Sequence, residues 1–204
     1  MNNSKGLLII LSGPSGAGKD TVLKELLAHN DKVRVSISAT TRQPRQGEEN
    51  GRDYHFISRE QFETLIQRDG VLEYAEYCGN FYGTPRAQVE AWLDEGLDVV
   101  LEIEVQGAEQ VMNHRSDLVS IFITIPSMEE LERRLRDRGT ETEDKIQGRM
   151  AVAQRELTRA FRYDYVVLND EVDLAVKRIH TIIDAEKMRY SRMETLVMEV
   201  LGHA

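Results

Sequence analysis

The chain has 204 residues and a formal net charge of −9, with 26 Lys and Arg against 35 Asp and Glu. That length suits one domain with insertions and a sizeable core, and the acidic balance excludes a broad nucleic-acid footprint while leaving room for a local basic cleft. The single cysteine, Cys78, excludes an internal disulfide and a cysteine-based zinc site and fits a reducing cytoplasm; no apolar run reaches membrane-spanning length, and residues 1–5 lack the apolar core of a signal peptide.

Residues 7–11 are an apolar run, followed by Gly13, Pro14, Ser15, Gly16, Ala17, Gly18, Lys19, Asp20 and Thr21, then by an amphipathic stretch over 22–27. Strand, glycine-rich turn and helix in this order, with the spacing G-x-x-x-x-G-K, predict a phosphate-binding loop. Glycines let the backbone curl until several N–H groups point inward, the helix N-terminus adds partial positive charge, and Lys19 adds a full one. A plain tight turn needs neither three glycines nor the lysine. Asp20 stands where a magnesium-binding hydroxyl is usual. It is expected either to touch the metal's shell, directly or through water, or to point away.

Residues 33–38 alternate and read as a short strand. Residues 39–54 are polar and turn-rich: either a solvated loop or, with Arg42 and Arg45 stiffened by Pro44 between them, a two-fork phosphate clamp. Ser58 and Gln61 form a capping box that opens a helix through about Arg68. Residues 71–77 and 81–84 read as a hairpin, which makes 38–84 a small mixed insert. Thr84 followed by Pro85 predicts an N-cap and first helical residue, with the helix running to about Glu95. A buried strand at 97–101 delivers Glu102 and Glu104; a helix at 107–114 and a strand at 118–125 follow. Ser127–Glu130 and Thr140–Glu143 read as two more capping boxes. The second opens a helix with Ile146, Met150, Ala153, Leu157 and Phe161 on one face. A last strand at 165–168 leads to a helix capped by Asn169 or Asp170, whose apolar end at 196–201 packs on the core or on another subunit, so that monomer and homo-oligomer both stay open.

Alternating strands and helices predict an α/β fold with a mostly parallel sheet flanked by helices, and ligands beyond the strands' C-terminal ends. The phosphate loop, Ser38, Glu102 and Asn169 fall at such ends. Arg134 and Arg138 share a helix face and Arg149 follows on the next helix; they read either as solvated surface or as a lid that carries positive charge onto transferring phosphates.

Several of these stretches together resemble the guanylate kinase family over nearly the whole length: residues 13–19, 38–45, 51–56, 79–83, Gln106-Gly107 and 138–141. The resemblance implies a P-loop kinase fold with a core (1–37, 85–138, 149–204), a GMP-binding insert (38–84) and a helical lid (139–148). It implies transfer of the γ-phosphoryl group of ATP to GMP, with Mg²⁺ as cofactor and the two nucleotides as partners. It places Arg42, Arg45, Tyr54 and Tyr82 on the GMP phosphate, and Ser38 and Glu73 on guanine, with Thr84 near the base and Glu102 in the same site. Lys19, Arg134, Arg138 and Arg149 would be catalytic, and Asn169 would lie near adenine. A carboxylate at Glu73 suits guanine, which offers two donors where adenine offers none in that arrangement. Glu102 and Glu104 replace aspartates usual in the family, so magnesium geometry rather than guanine choice is expected to differ here. Two rivals are weaker. A different acceptor, such as a phosphorylated sugar, is disfavoured by Glu73 with Ser38, and a peptide-binding scaffold is disfavoured by the intact loop with Lys19.

Overall fold

The computed structural model describes residues 5–137 and 142–202. In chain order the elements are β1 (Leu8–Ser12), α1 (Lys19–Ala28), β2 (Val33–Val35), β3 (Ala39–Thr40), β4 (His55–Phe56), α2 (Arg59–Gln67), β5 (Val71–Tyr77), β6 (Asn80–Pro85), α3 (Arg86–Asp94), β7 (Asp98–Glu102), α4 (Val105–His114), β8 (Leu118–Thr124), α5 (Met128–Asp137), α6 (Glu143–Leu157), a 3-10 turn (Ala160–Arg162), β9 (Tyr165–Leu168), α7 (Val172–Lys187) and α8 (Tyr190–Val200).

Five strands form a parallel sheet in the order β2-β7-β1-β8-β9. β1 sits at its centre and all its residues are buried. Its side chains alternate between two apolar layers, as strand geometry requires. Ile9 and Leu11, with Leu7 just before the strand, pack with residues of α1, α5, α6 and α7; Leu8 and Ile10 pack with residues of α3 and α4. Because the strands run parallel, β1, β7 and β9 all end on one rim, which carries the glycine-rich loop, Glu102 and Asn169. A second sheet, β4-β3-β6-β5, forms the insert. It has its own small core, in which Phe62 of α2 stacks on Phe81 at 5.2 Å between ring centroids.

Several local expectations shift. β2 stops at Val35 and the next paired residues, Ala39–Thr40, already belong to the insert's sheet, so residues 36–38 are the crossing. The Ser58–Gln61 capping box is present in full. At Ser127 only half the box forms: its Oγ accepts from Glu130 N, while the Glu130 carboxylate turns to Arg133 and Arg134. Thr84 is not a helix cap. β6 runs through Pro85, which takes the N-cap position itself, and the Thr84 hydroxyl is used elsewhere. α4 begins at Val105, before the expected Gly107. The expected box at Thr140 falls outside the described residues; α6 starts after Thr142. Phe161 leaves the apolar face and is 82% exposed on the 3-10 turn. The last helix is two helices, α7 capped at Glu171 and α8, which buries none of its residues.

Candidate active site

The loop after β1 is shaped by positive φ at Gly13, Gly16 and Gly18. At Gly13 a Cβ would stand 2.2 Å from the Ile123 carbonyl oxygen, and at Gly18 2.6 Å from Asn169 Nδ2, so neither position accepts a side chain. Gly18 is the N-cap of α1 and has no side chain to cap it, which leaves the helix's first N–H groups for an anion. Lys19 Nζ donates to the Gly13 carbonyl at 2.8 Å and so arches back over the loop.

The loop is braced from behind. Asn169 is buried and its Nδ2 donates to the Ala17 carbonyl at 2.7 Å. Arg134 donates to the Asn169 carbonyl at 2.9 Å, to Ala17 O at 3.4 Å and to Glu130 at 2.7 Å. Arg149 donates to Ser15 Oγ at 2.5 Å. Both arginines thus reach the loop itself. Arg138, the third expected arginine, falls outside the described residues.

A cavity of about 610 Å³ opens between this rim and the insert. Its walls bring together Lys19, Asp20 and Thr21 from the loop, Ser38, Tyr54, Glu73 and Tyr82 from the insert, and Glu102, Glu104 and Gly107 from β7 and α4. Residues far apart in sequence therefore meet around one cavity. Arg42 and Arg45 do not form part of that wall. The Arg42 guanidinium is clasped by Glu48 through two bonds of 2.7 and 2.9 Å and lies over the Tyr54 ring at 5.2 Å. Glu48 also accepts from Arg45 N at 2.7 Å. Glu48 escaped the sequence reading; a carboxylate within a turn-rich arginine loop is its only sequence signal.

Glu73 is 8% exposed. Thr84 Oγ1 donates to its Oε1 at 2.7 Å. Its other oxygen faces α4, where a Cβ on Gly107 would stand only 2.8 Å away. Burial pushes the Glu73 carboxyl above its ordinary pKa, and hydrogen bonds from Thr84 pull part of the way back. Tyr54 and Tyr82, which line the same cavity, meet edge to face at 6.2 Å.

At the other end of the cavity, burial and then a hydrogen bond with Asp20 raise the Glu102 carboxyl to about 7. The nearby Lys19 charge lowers it in part, and Glu104 raises it. Two carboxyl groups placed this close are short of positive charge. Glu156 of α6, also unforeseen, hydrogen-bonds the Ser15 backbone, and burial raises its pKa too. Among the described residues no three His, Cys, Asp or Glu side chains are arranged to hold a metal ion.

This arrangement offers an anion cradle with a lysine at one end and a buried hydrogen-bond acceptor among hydroxyl groups at the other. It suits transfer of a phosphoryl group from a bound polyphosphate to a small acceptor.

Known proteins agree with that reading. The family model described as guanylate kinase matches residues 5–186. A guanylate kinase of Desulfitobacterium hafniense is 54% identical over 192 residues, covering 94% of this chain and 96% of the relative. One from Bacillus cereus is 51% identical over 201 residues, covering 98% of each. The crystal structure of guanylate kinase from Anaplasma phagocytophilum superimposes with a TM-score of 0.76 at 36% identity, covering 98% of this chain and 97% of that one. With the loop, the insert and the sheet order all in place and the match spanning nearly the whole sequence, the chain belongs to the guanylate kinase family.

Proposed function

We propose that this enzyme transfers the γ-phosphoryl group of ATP to GMP, giving ADP and GDP, with ATP on the glycine-rich loop and GMP against the insert. The observation that carries the reading is the meeting, in one cavity, of Lys19 and its loop with the buried Glu73 carboxylate. Residues 38–84 act as the GMP-binding insert, 139–148 as the lid, and the remainder as the core.

Glu73 accepts from the guanine N1–H and 2-amino groups, helped by Ser38, while Thr84 holds the carboxylate in place. Adenine would leave that acceptor buried and unpaired, which is strongly disfavoured. Tyr54 and Tyr82 present hydroxyls to the acceptor phosphate. Arg42 and Arg45 join them when Glu48 gives way to the more strongly charged phosphate. The loop N–H groups and Lys19 hold the outer phosphates of ATP. An oxygen of the GMP phosphate forms the new bond to the γ-phosphorus as the bond to the bridging oxygen of ADP breaks. That oxygen is already anionic near neutrality, so no general base is needed. The work of the protein is positioning and charge stabilisation, with Arg134 and Arg149 bracing the loop from the lid side.

Magnesium arriving with ATP fits this site. Asp20 and Glu102 are hard oxygen donors, and the rise that burial and then Asp20 impose on the Glu102 carboxyl marks a place short of positive charge. A pair of carboxylates, rather than a full protein cage, suits an ion that takes its other ligands from phosphate and water. When bound, the ion would neutralise charge on the transferring phosphates. No helix among the described residues is long and apolar enough to cross a membrane.

The test is to follow γ-labelled ATP with GMP present. Label in the β-position of GDP supports the reading; label released only as inorganic phosphate contradicts it.

A further inference from the structure

β5 is the edge strand of the insert's sheet. Its pairing with β6 is irregular between Val71 and Tyr74, the stretch that carries Glu73. The ladder alone therefore does not fix the height or rotation of Glu73. An edge strand also turns alternate N–H and C=O groups outward, where its own sheet has nothing to offer them.

At Tyr74 those outward groups are met by a side chain. Gln110 Nε2 donates to the Tyr74 carbonyl at 2.9 Å, and Tyr74 N donates to Gln110 Oε1 at 3.2 Å. A side-chain carboxamide supplies one donor and one acceptor in that reciprocal pattern. Gln110 thus behaves as a one-residue strand laid along the open edge of β5. It projects from α4, one turn after Gly107, and the two share a helix face. Gly107 lies under the Glu73 carboxylate and Gln110 grips the next residue's backbone. The core's α4 therefore meets the Glu73–Tyr74 dipeptide at two points. Packing does not do this job alone, since a cavity of about 350 Å³, walled in part by Ile66, Leu72, Gln110 and His114, separates insert and core behind the strand.

We propose that Gln110 is a positioning residue for acceptor recognition: it registers β5 on α4 and so holds the Glu73 carboxylate at the depth where the acceptor base is read. The inference rests on Glu73 reading that base, as proposed above.

The test compares Gln110→Leu, which keeps bulk and loses both bonds, with Gln110→Glu, which keeps only the acceptor. In Gln110→Leu the Tyr74 amide should exchange with solvent faster. The KM for GMP should rise about tenfold, equivalent to about 1.4 kcal/mol, while the KM for ATP and kcat stay within about twofold of wild type. Gln110→Glu should fall between, and it carries the comparison if the leucine variant does not fold. Glu73→Gln is run beside them, and adding Gln110→Leu to it should raise the KM for GMP little further, because the two act through one carboxylate. Faster Tyr74 exchange with an unchanged KM for GMP would overturn the inference. So would equal losses of ATP and GMP binding, which would mark Gln110 as general packing. If Glu73→Gln itself leaves the KM for GMP unchanged, the base-reading role of Glu73 fails and the inference falls with it; if only the Gln110 variants are silent, the role of Glu73 stands and the inference alone is lost.

Discussion

Replacing Glu73 by glutamine should trade function for stability. In the wild type Thr84 holds Oε1 and the other oxygen faces Gly107 and the cavity. A glutamine keeps its single oxygen where the Thr84 hydroxyl can donate to it. Its NH₂ group then occupies the second position and points a donor at one of the two guanine donors. One charge-assisted bond, each about 1.5–3 kcal/mol, is lost and a donor–donor contact is added, for a total of about 3–4 kcal/mol. The kcat/KM for GMP should therefore fall roughly 10²- to 10³-fold, with the KM for ATP unchanged. Stability should move the other way. The folded protein holds this carboxyl above its ordinary pKa, so the folded state favours the protonated form. The resulting penalty is absent below the unfolded carboxyl's pKa, appears as pH rises through the folded one, and is complete above it. Thermal melts should show Glu73→Gln more stable than wild type at about pH 8 and equal to it at about pH 4. A kcat/KM for GMP within about threefold of wild type would refute the reasoning.

Four further outcomes are expected. Lys19→Ala should lower kcat far more than GMP affinity, read by steady-state kinetics beside GMP titration calorimetry; equal losses would indicate a folding defect instead. Asp20→Ser removes the hydrogen-bonded neighbour that helps raise Glu102, so carboxyl NMR should show the Glu102 pKa moving down from about 7, and the magnesium dependence of activity should shift with it. Gly107→Ala gains helix propensity of up to about 1 kcal/mol, but its Cβ arrives 2.8 Å from Glu73 Oε2; the KM for GMP should rise with little change in melting temperature. Lys187→Met should destabilise the fold by about 3 kcal/mol or more in denaturant titrations, because removing one partner strands a buried charge: Asp98 is fully buried, with Lys187 at 2.6 Å from Oδ2 and Leu7 N donating to Oδ1.

The parts of this molecule legible in the sequence are those set by local rules. The glycine-rich loop is one, since positive φ and the lysine's spacing are written in adjacent residues. The Ser58 capping box is another. Strand-helix alternation was enough to put the loop, Glu102 and Asn169 on one rim. What failed depended on distant partners. Thr84-Pro85 has the look of a helix cap, but a buried carboxylate takes the Thr84 hydroxyl and the strand runs on. The break between α7 and α8 has no glycine or proline; Arg189 leaves the helix where it reaches Glu186 at 2.8 Å. Glu73 read alone is ordinary strand surface, and only the family resemblance singled it out, because burial of one carboxylate is a tertiary property. Glu48 and Gln110 were missed for the same reason: each acts through backbone or side-chain groups that folding alone brings within reach.

The most direct measurement is ADP formation from ATP and Mg²⁺ with GMP, AMP, UMP or no acceptor, run side by side. Rapid ADP and GDP formation with GMP alone is the predicted result. Comparable rates with AMP would contradict base selection by Glu73, and silence with every acceptor while ATP still binds would contradict the phosphoryl-transfer reading itself.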